Sequence, residues 1–156
     1  MKYYKSAICK NGHLQDSHLE ENETFLKKYC QQCSSEVIDK CSHCNKIILG
    51  SLDSISGLMA PYNIPNYCHG CGSPYPWTEK FLNEYKLILG LQSDEIDRKM
   101  QDKIYKATEE AIKQNFKGNS ITILKFITKG LSRVTKEAIL NSLKEVTTNQ
   151  VIDLLN

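Results

Sequence analysis

Hydrophobic and polar positions follow different patterns in the two halves of the chain. In the first half, short apolar runs rich in β-branched and aromatic residues alternate with polar turns, which is typical of short strands. The predicted strands cover residues 3–8, 25–29, 36–40 and 47–50. Gly50 is expected to end the last strand in a turn. Residues 15–24 are polar and acidic, so we expect an exposed loop there.

In the second half, apolar residues recur with the 3.6-residue period of a helix. Thr78 is expected to cap a first helix that Gly90 ends, and Ser93 to cap a second helix that ends near Gly118. The apolar face of the second helix carries Ile96, Met100, Ile104, Ala107 and Ala111. Further helices are predicted at 120–129, at 135–144 and at the end of the chain, where Thr147-x-x-Gln150 forms a capping box.

All the cysteines of the chain lie between residues 9 and 71, in a paired arrangement. There are three C-x-x-C pairs, and Cys9 precedes His13 by four residues. A C-x-x-C turn places both sulfurs on one metal, and seven thiolates plus one imidazole complete two four-coordinate zinc sites. The predicted ligands of two Zn²⁺ ions are Cys9, His13, Cys30, Cys33, Cys41, Cys44, Cys68 and Cys71.

The residues around the cysteines support this chemistry. The Asn11-Gly12 turn signal can fold the backbone so that His13 faces the metal held by Cys9, with His18 as the alternative eighth ligand. Each second cysteine is followed by a residue that tolerates a left-handed backbone, as the tight turn of a zinc knuckle requires. These residues are Ser34, Asn45 and Gly72.

The order of the ligands favours two zinc ribbons in tandem. The first four ligands would hold one zinc ion and the last four the other, because each block has its own strand-like flanks. The alternative is a cross-braced arrangement. In it the first ligand pair of the chain would share a zinc ion with the third pair, and the second pair with the fourth. The predicted fold class is α+β, with a double zinc-ribbon domain of short antiparallel strands at 1–77 and a helical domain at 78–156.

Composition limits the location of the protein. It has 40% hydrophobic and 24% charged residues, and no apolar run approaches the roughly 18–20 residues that cross a bilayer. The first eight residues contain no hydrophobic segment of secretory type. We therefore expect a cytoplasmic protein without a transmembrane segment, whose thiols bind metal rather than form disulfides.

The net charge of +2 is too small to predict nucleic-acid binding for the chain as a whole. One segment differs, because residues 111–136 contain six basic side chains and no acidic one. These are Lys113, Lys117, Lys125, Lys129, Arg133 and Lys136. The stretch is either a solvated helix face or a surface for an acidic protein, nucleic acid or an acidic membrane.

Motifs around the cysteines resemble those of an uncharacterised bacterial family of double zinc-ribbon proteins with a helical C-terminal region. They are Ile8-Cys9-x-Asn11-Gly12-His13, Lys28-Tyr29-Cys30-x-x-Cys33, Cys41-x-x-Cys44 and Tyr67-Cys68-His69-x-Cys71-Gly72-x-Pro74-x-Pro76-Trp77-Thr78. The resemblance covers the first half of the chain. It implies zinc at all eight predicted ligands, and it implies no activity.

The sequence favours a non-enzymatic protein-interaction or adaptor module with two structural zinc ions. Its contact surface would be the loop at 51–66 or the helices. The alternative is a nucleic-acid-binding zinc-ribbon protein that uses the basic stretch 113–136. An enzyme is less expected, because eight ligands close both metal sites and no phosphate-binding glycine loop or Ser/His/Asp arrangement is present.

Overall fold

The computed structural model describes residues 2–53, 62–117, 119–144, 147, 152–153 and 155. The chain divides into two compact units, Met1–Glu79 and Lys80–Asn156. Antiparallel strands and the cysteine clusters precede the helices along the chain. The predicted α+β class is therefore confirmed.

The sheet of the first unit is built around one central strand, β1 (Tyr3–Cys9). It pairs antiparallel with β2 (Leu14–Leu19), β3 (Val37–Ile38) and β4 (Leu49–Leu52). The second half of β1 is fully buried, including Ile8 and Cys9. The buried part of this central strand thus ends at Cys9, the first predicted metal ligand.

Two expectations about the strands are wrong. Part of the predicted loop at 15–24 forms strand β2, in which Ser17 and Leu19 are buried. The polarity of this segment is misleading, because the buried Ser17 hydroxyl accepts a hydrogen bond from Ser51 Oγ at 2.9 Å. The predicted strand at 25–29 is absent from the described sheet, and Leu26 is 94% exposed, so this apolar run has no buried face to support it.

Gly50 lies inside β4 and not in the predicted turn. A Cβ atom at this position would lie 2.3 Å from the Ser17 carbonyl oxygen and 2.9 Å from the Lys5 carbonyl carbon. Glycine is required here because two backbone segments pass too close for any side chain.

The described helices are α1 (Pro76–Gly90), α2 (Arg98–Lys113), α3 (Asn119–Thr128) and α4 (Arg133–Leu143). Two predicted caps are wrong. Helix α1 already begins at Pro76, whose fixed φ suits the first helical position, so Thr78 lies inside it. Helix α2 is capped by Asp97, whose carboxylate accepts from Met100 N at 2.7 Å, and not by Ser93.

The predicted helices at 120–129 and 135–144 agree with α3 and α4 within one or two residues, and the break around Gly130 separates these two helices. The expected end of the second helix near Gly118 is wrong, because α2 already ends at Lys113, and Asn115 and Phe116 have positive φ values of 49° and 53°. The predicted last helix after Thr147 and the 54–61 part of the 51–66 loop lie largely or wholly outside the described residues. The core of the second unit includes a polar contact that the pattern did not predict. The buried Thr108 hydroxyl donates to Tyr85 Oη at 3.1 Å.

Candidate metal centres

The first cluster brings together Cys9, His13, Cys30 and Cys33. The His13 Nδ1 atom lies 3.5 Å from Cys9 Sγ, 3.2 Å from Cys33 Sγ and 3.7 Å from Cys30 Sγ. The sulfurs of Cys9 and Cys33 are 3.7 Å apart. One ring nitrogen and three sulfurs therefore face a common point.

The second cluster brings together Cys41, Cys44, Cys68 and Cys71. Sulfur–sulfur distances are 3.8 Å for Cys41 and Cys71 and 3.6 Å for Cys44 and Cys68. In both clusters the ligand atoms all lie within 4.8 Å of one another.

These distances fit tetrahedral zinc. With Zn–S bonds of about 2.3 Å and Zn–N bonds of about 2.0 Å, a tetrahedron has S···S edges of about 3.8 Å and S···N edges of about 3.5 Å. The observed sulfur–sulfur distances of 3.6–3.8 Å match the first value. A disulfide would need about 2.05 Å. Each cluster can therefore hold one zinc ion, which confirms the predicted cofactor, two Zn²⁺.

The three C-x-x-C turns share one backbone geometry. The residue after each second cysteine has positive φ, 56° at Ser34, 59° at Asn45 and 72° at Gly72, as predicted. Its N–H donates to the carbonyl of the first cysteine of the turn at 2.8–2.9 Å. This turn leaves further N–H groups pointing at sulfur, such as Gly70 N to Cys68 Sγ at 3.3 Å.

His13 reaches the first cluster through a different turn. Gly12 has φ 86°, and its N–H donates to the Cys9 carbonyl at 2.8 Å. The His13 carbonyl then accepts from Cys9 N at 3.0 Å, which closes the loop between β1 and β2. The Asn11-Gly12 signal thus produces the reversal that places His13 beside Cys9.

The cysteines of the second cluster differ from one another in burial. Cys41 and Cys68 belong to the hydrophobic core of the first unit, together with Ile8, Ile48 and Tyr75. Trp77 packs against this core and stacks on Tyr75 with ring centroids 4.8 Å apart. Cys71, by contrast, is exposed. The second cluster is therefore both a core element and a surface feature.

Hydrogen bonds prepare two thiols for metal binding. The backbone N–H and the hydroxyl of Ser35 lower the pKa of the Cys33 thiol to about 5. The hydroxyl and backbone N–H of Ser73 lower the pKa of Cys71 to about 6. Both side chains supply thiolate at neutral pH, which is the form that binds zinc.

The same clusters also retain protons before metal binds. At Cys44 the backbone N–H of Lys46 favours the thiolate, but burial and the neighbouring thiols outweigh it and raise the pKa to about 12. Hydrogen bonds to Cys33 and Cys30 raise the pKa of His13. Zinc must therefore displace protons from both clusters as it binds.

Two polar residues at the first cluster, Gln15 and Ser35, were not predicted from the sequence, and Asn11 was predicted only as a turn residue. Gln15 Nε2 donates to Cys30 Sγ at 3.3 Å and to the His13 carbonyl at 3.1 Å. Asn11 Nδ2 donates to Ser35 Oγ at 2.8 Å. The role of Gln15 could have been predicted from its position, because it lies only two residues after His13. The polarity of residues 15–24 predicted a loop there instead.

The other histidines lie outside the clusters. His18, the alternative eighth ligand, is exposed, hydrogen-bonded to Ser17 Oγ at 2.9 Å and in contact with the Tyr4 ring. His43 and His69 are in neither group of converging ligands. The grouping of ligand atoms is that of the tandem arrangement and not of the cross-braced one.

The fold and the clusters define a small α+β protein with Cys-rich sites that can each hold a zinc ion. The chain belongs to a family of uncharacterised proteins conserved in bacteria, DUF2321, whose model matches residues 2–154. This confirms the resemblance to an uncharacterised bacterial family. The comparisons with curated proteins and with solved structures found no match.

Proposed function

We propose that this protein is a non-enzymatic protein-interaction module whose fold depends on two structural zinc ions. The observation that supports this proposal most strongly is that eight potential protein ligands converge in two clusters of four. A structural zinc site is closed by four protein ligands, whereas a catalytic site keeps a position open for water or substrate. We further propose a zinc-ribbon domain at 1–77 and a helical domain at 78–156, in a cytoplasmic protein.

Zinc would stabilise the first domain through the elements that carry the ligands. The described strands β3 and β4 have two and four residues. Such short strands supply little core on their own, while structural zinc contributes about 10–16 kcal/mol in small domains. Because Cys41 and Cys68 are part of the hydrophobic core, loss of the second ion would disturb core packing directly.

Nucleic-acid binding through 113–136 has less support. The break between α3 and α4 divides the basic stretch, so its side chains do not share one continuous helix face. Lys113 pairs with Glu109 at 3.0 Å and Arg133 with Glu137 at 2.8 Å, which reduces the charge offered to phosphate. No helix in the described residues is long and apolar enough to cross a bilayer.

A chelator titration combined with affinity capture tests the proposal. Zinc removal is expected to abolish the circular-dichroism signal of the strands and to change the fluorescence of Trp77, the only tryptophan. The zinc-loaded chain should capture a protein from its native host after nuclease treatment, and a Cys41→Ser chain should capture less. Capture that occurs only without nuclease treatment, or an unchanged spectrum after chelation, would contradict the proposal.

A further inference from the structure

Helix α3 exposes two large apolar side chains outside its buried face. Leu124 and Thr128 are buried, whereas Ile123 is 51% exposed and Phe126 is 80% exposed. A helix of a soluble protein usually presents polar residues to solvent, so an exposed isoleucine and phenylalanine one turn apart need an explanation. Exposed apolar neighbours of this kind are typical of binding surfaces.

A groove runs beside this apolar pair, between α2 and α3. It has a volume of about 300 Å³, with Ala107 and Ile123 among its lining residues. The rest of its lining is polar, from Lys106, Glu110, Gln114, Asn119 and Ser120. This volume is at the low end of the roughly 300–1,000 Å³ of ligand pockets, which suits an inserted side chain better than a large cofactor.

The charge next to the apolar pair is positive. Lys125 lies in α3, Lys129 directly follows the last residue of this helix, and both side chains are exposed. Among the residues that line the groove, the formal charges of Lys106 and Glu110 cancel, so Lys125 and Lys129 set the sign of the charge beside it. An acidic partner is therefore complementary to this surface, and a basic one is not.

We propose that Ile123, Phe126, Lys125, Lys129 and the adjoining groove form a docking surface, the α3 surface, for an acidic segment of a partner protein. An apolar side chain of that segment enters the groove, and its carboxylates lie along the lysines. A concave groove favours a peptide over a bilayer, whose flat surface would leave the groove unfilled. This inference rests on the proposed interaction function and names the chemistry of the partner.

Selection from a displayed library of random peptides, with the zinc-loaded chain as bait, tests the chemistry. Enriched peptides should carry several acidic residues around an apolar one, and the affinity of a synthetic copy should fall about tenfold or more between 50 and 500 mM salt. Enrichment of basic or uncharged peptides, or of none, would overturn the inference. Binding of anionic phosphatidylserine vesicles in place of peptides would also overturn it.

Matched surface variants locate the site. Phe126→Ser and Lys129→Glu should each weaken peptide binding about tenfold, as expected for an anchor side chain and its neighbouring charge. Leu26→Ser and Lys27→Glu remove an equally exposed apolar side chain and a charge from the first unit, and should leave affinity within about twofold. Equal losses in both pairs, or no loss with Phe126→Ser in a folded chain, would contradict the assignment.

The same variants separate this inference from the proposed function. If the Phe126→Ser chain captures the same host protein as the wild type, the interaction function stands and the α3 surface is not its site. If the wild type captures no protein, the interaction function itself fails. Capture that is lost with Phe126→Ser and kept with Leu26→Ser supports both.

Discussion

Replacing His13 with alanine should weaken zinc binding at the first cluster and leave the second cluster loaded. His13 Nδ1 lies 3.2–3.7 Å from all three sulfurs of its cluster, so its removal vacates one of four corners. The second cluster consists of cysteines alone and shares no ligand with the first. The perturbation is therefore local.

The size of the effect follows from the number of ligands. Four-ligand structural zinc sites gain about 10–16 kcal/mol on binding, so one ligand accounts for about 2.5–4 kcal/mol. Water can occupy the vacated corner, which favours the lower value. We expect the zinc Kd of this cluster to rise about 10²-fold, since each 1.4 kcal/mol is a factor of ten.

Competition with a chromophoric chelator measures this change. The wild type should release two zinc ions at high chelator concentration, and the His13→Ala chain should release one of them at about a hundredfold lower concentration. His18→Ala is the matched control, since His18 is exposed and hydrogen-bonded to Ser17. Easier zinc release from His18→Ala, with His13→Ala unchanged, would refute the assignment of the eighth ligand.

Three further predictions concern pH and stability. Zinc affinity should rise with pH from 6 to 8, because thiols that are still protonated must lose their protons when zinc binds. Below the pKa of Cys33, about 5, this thiol is also protonated, so zinc loss should become steeper. Zinc content after dialysis at each pH measures both effects. Retention of both ions at pH 4 would contradict this. Gly50→Ala should destabilise the protein by about 3 kcal/mol or more in urea unfolding, because the new Cβ would lie 2.3 Å from a backbone oxygen. Gly90→Ala is the control and should change stability by less than about 1 kcal/mol, because its Cβ would meet nothing within 4 Å. Similar values for the two variants would contradict the packing described. Thr108→Val should lower the free energy of unfolding by about 1–3 kcal/mol, because the buried Tyr85 hydroxyl loses its hydrogen-bond partner. Adding Tyr85→Phe to this variant should restore part of the lost stability. If the effects of the two substitutions on the free energy of unfolding simply add, the two residues are not coupled and the prediction fails.

The metal clusters were the most predictable part of the molecule. Metal chemistry fixes ligand type and spacing, so three C-x-x-C turns and the Cys9–His13 pair predict convergence without knowledge of the fold. The positive φ at Ser34, Asn45 and Gly72 was predictable for the same local reason. That these eight side chains bind zinc stays a prediction.

The sheet register and the helix caps were less predictable, because they depend on contacts distant in sequence. Ser17 is buried only because Ser51 lies opposite it, and Gly50 is required only because β4 passes close to Lys5 and Ser17. Neither of these contacts can be predicted from the local sequence around Ser17 or Gly50. Polarity alone therefore assigned β2 to a loop.

The start of α2 shows the same limit. Ser93 followed by acidic residues is a good capping signal, yet Asp97 caps the helix. Glu95 accepts a hydrogen bond from the hydroxyl of Ser132 at 2.6 Å, at the start of α4. A contact across 37 residues thus competes with a local preference.

Zinc K-edge X-ray absorption together with metal analysis tests the central claim most directly. The account predicts two zinc ions per chain, bound by seven sulfurs and one nitrogen in total, at Zn–S distances of about 2.3 Å. The His13→Ala chain should lose the outer-shell scattering of the imidazole ring and keep the sulfur shell. One zinc ion per chain, or imidazole scattering that persists in His13→Ala, would contradict two closed four-ligand sites.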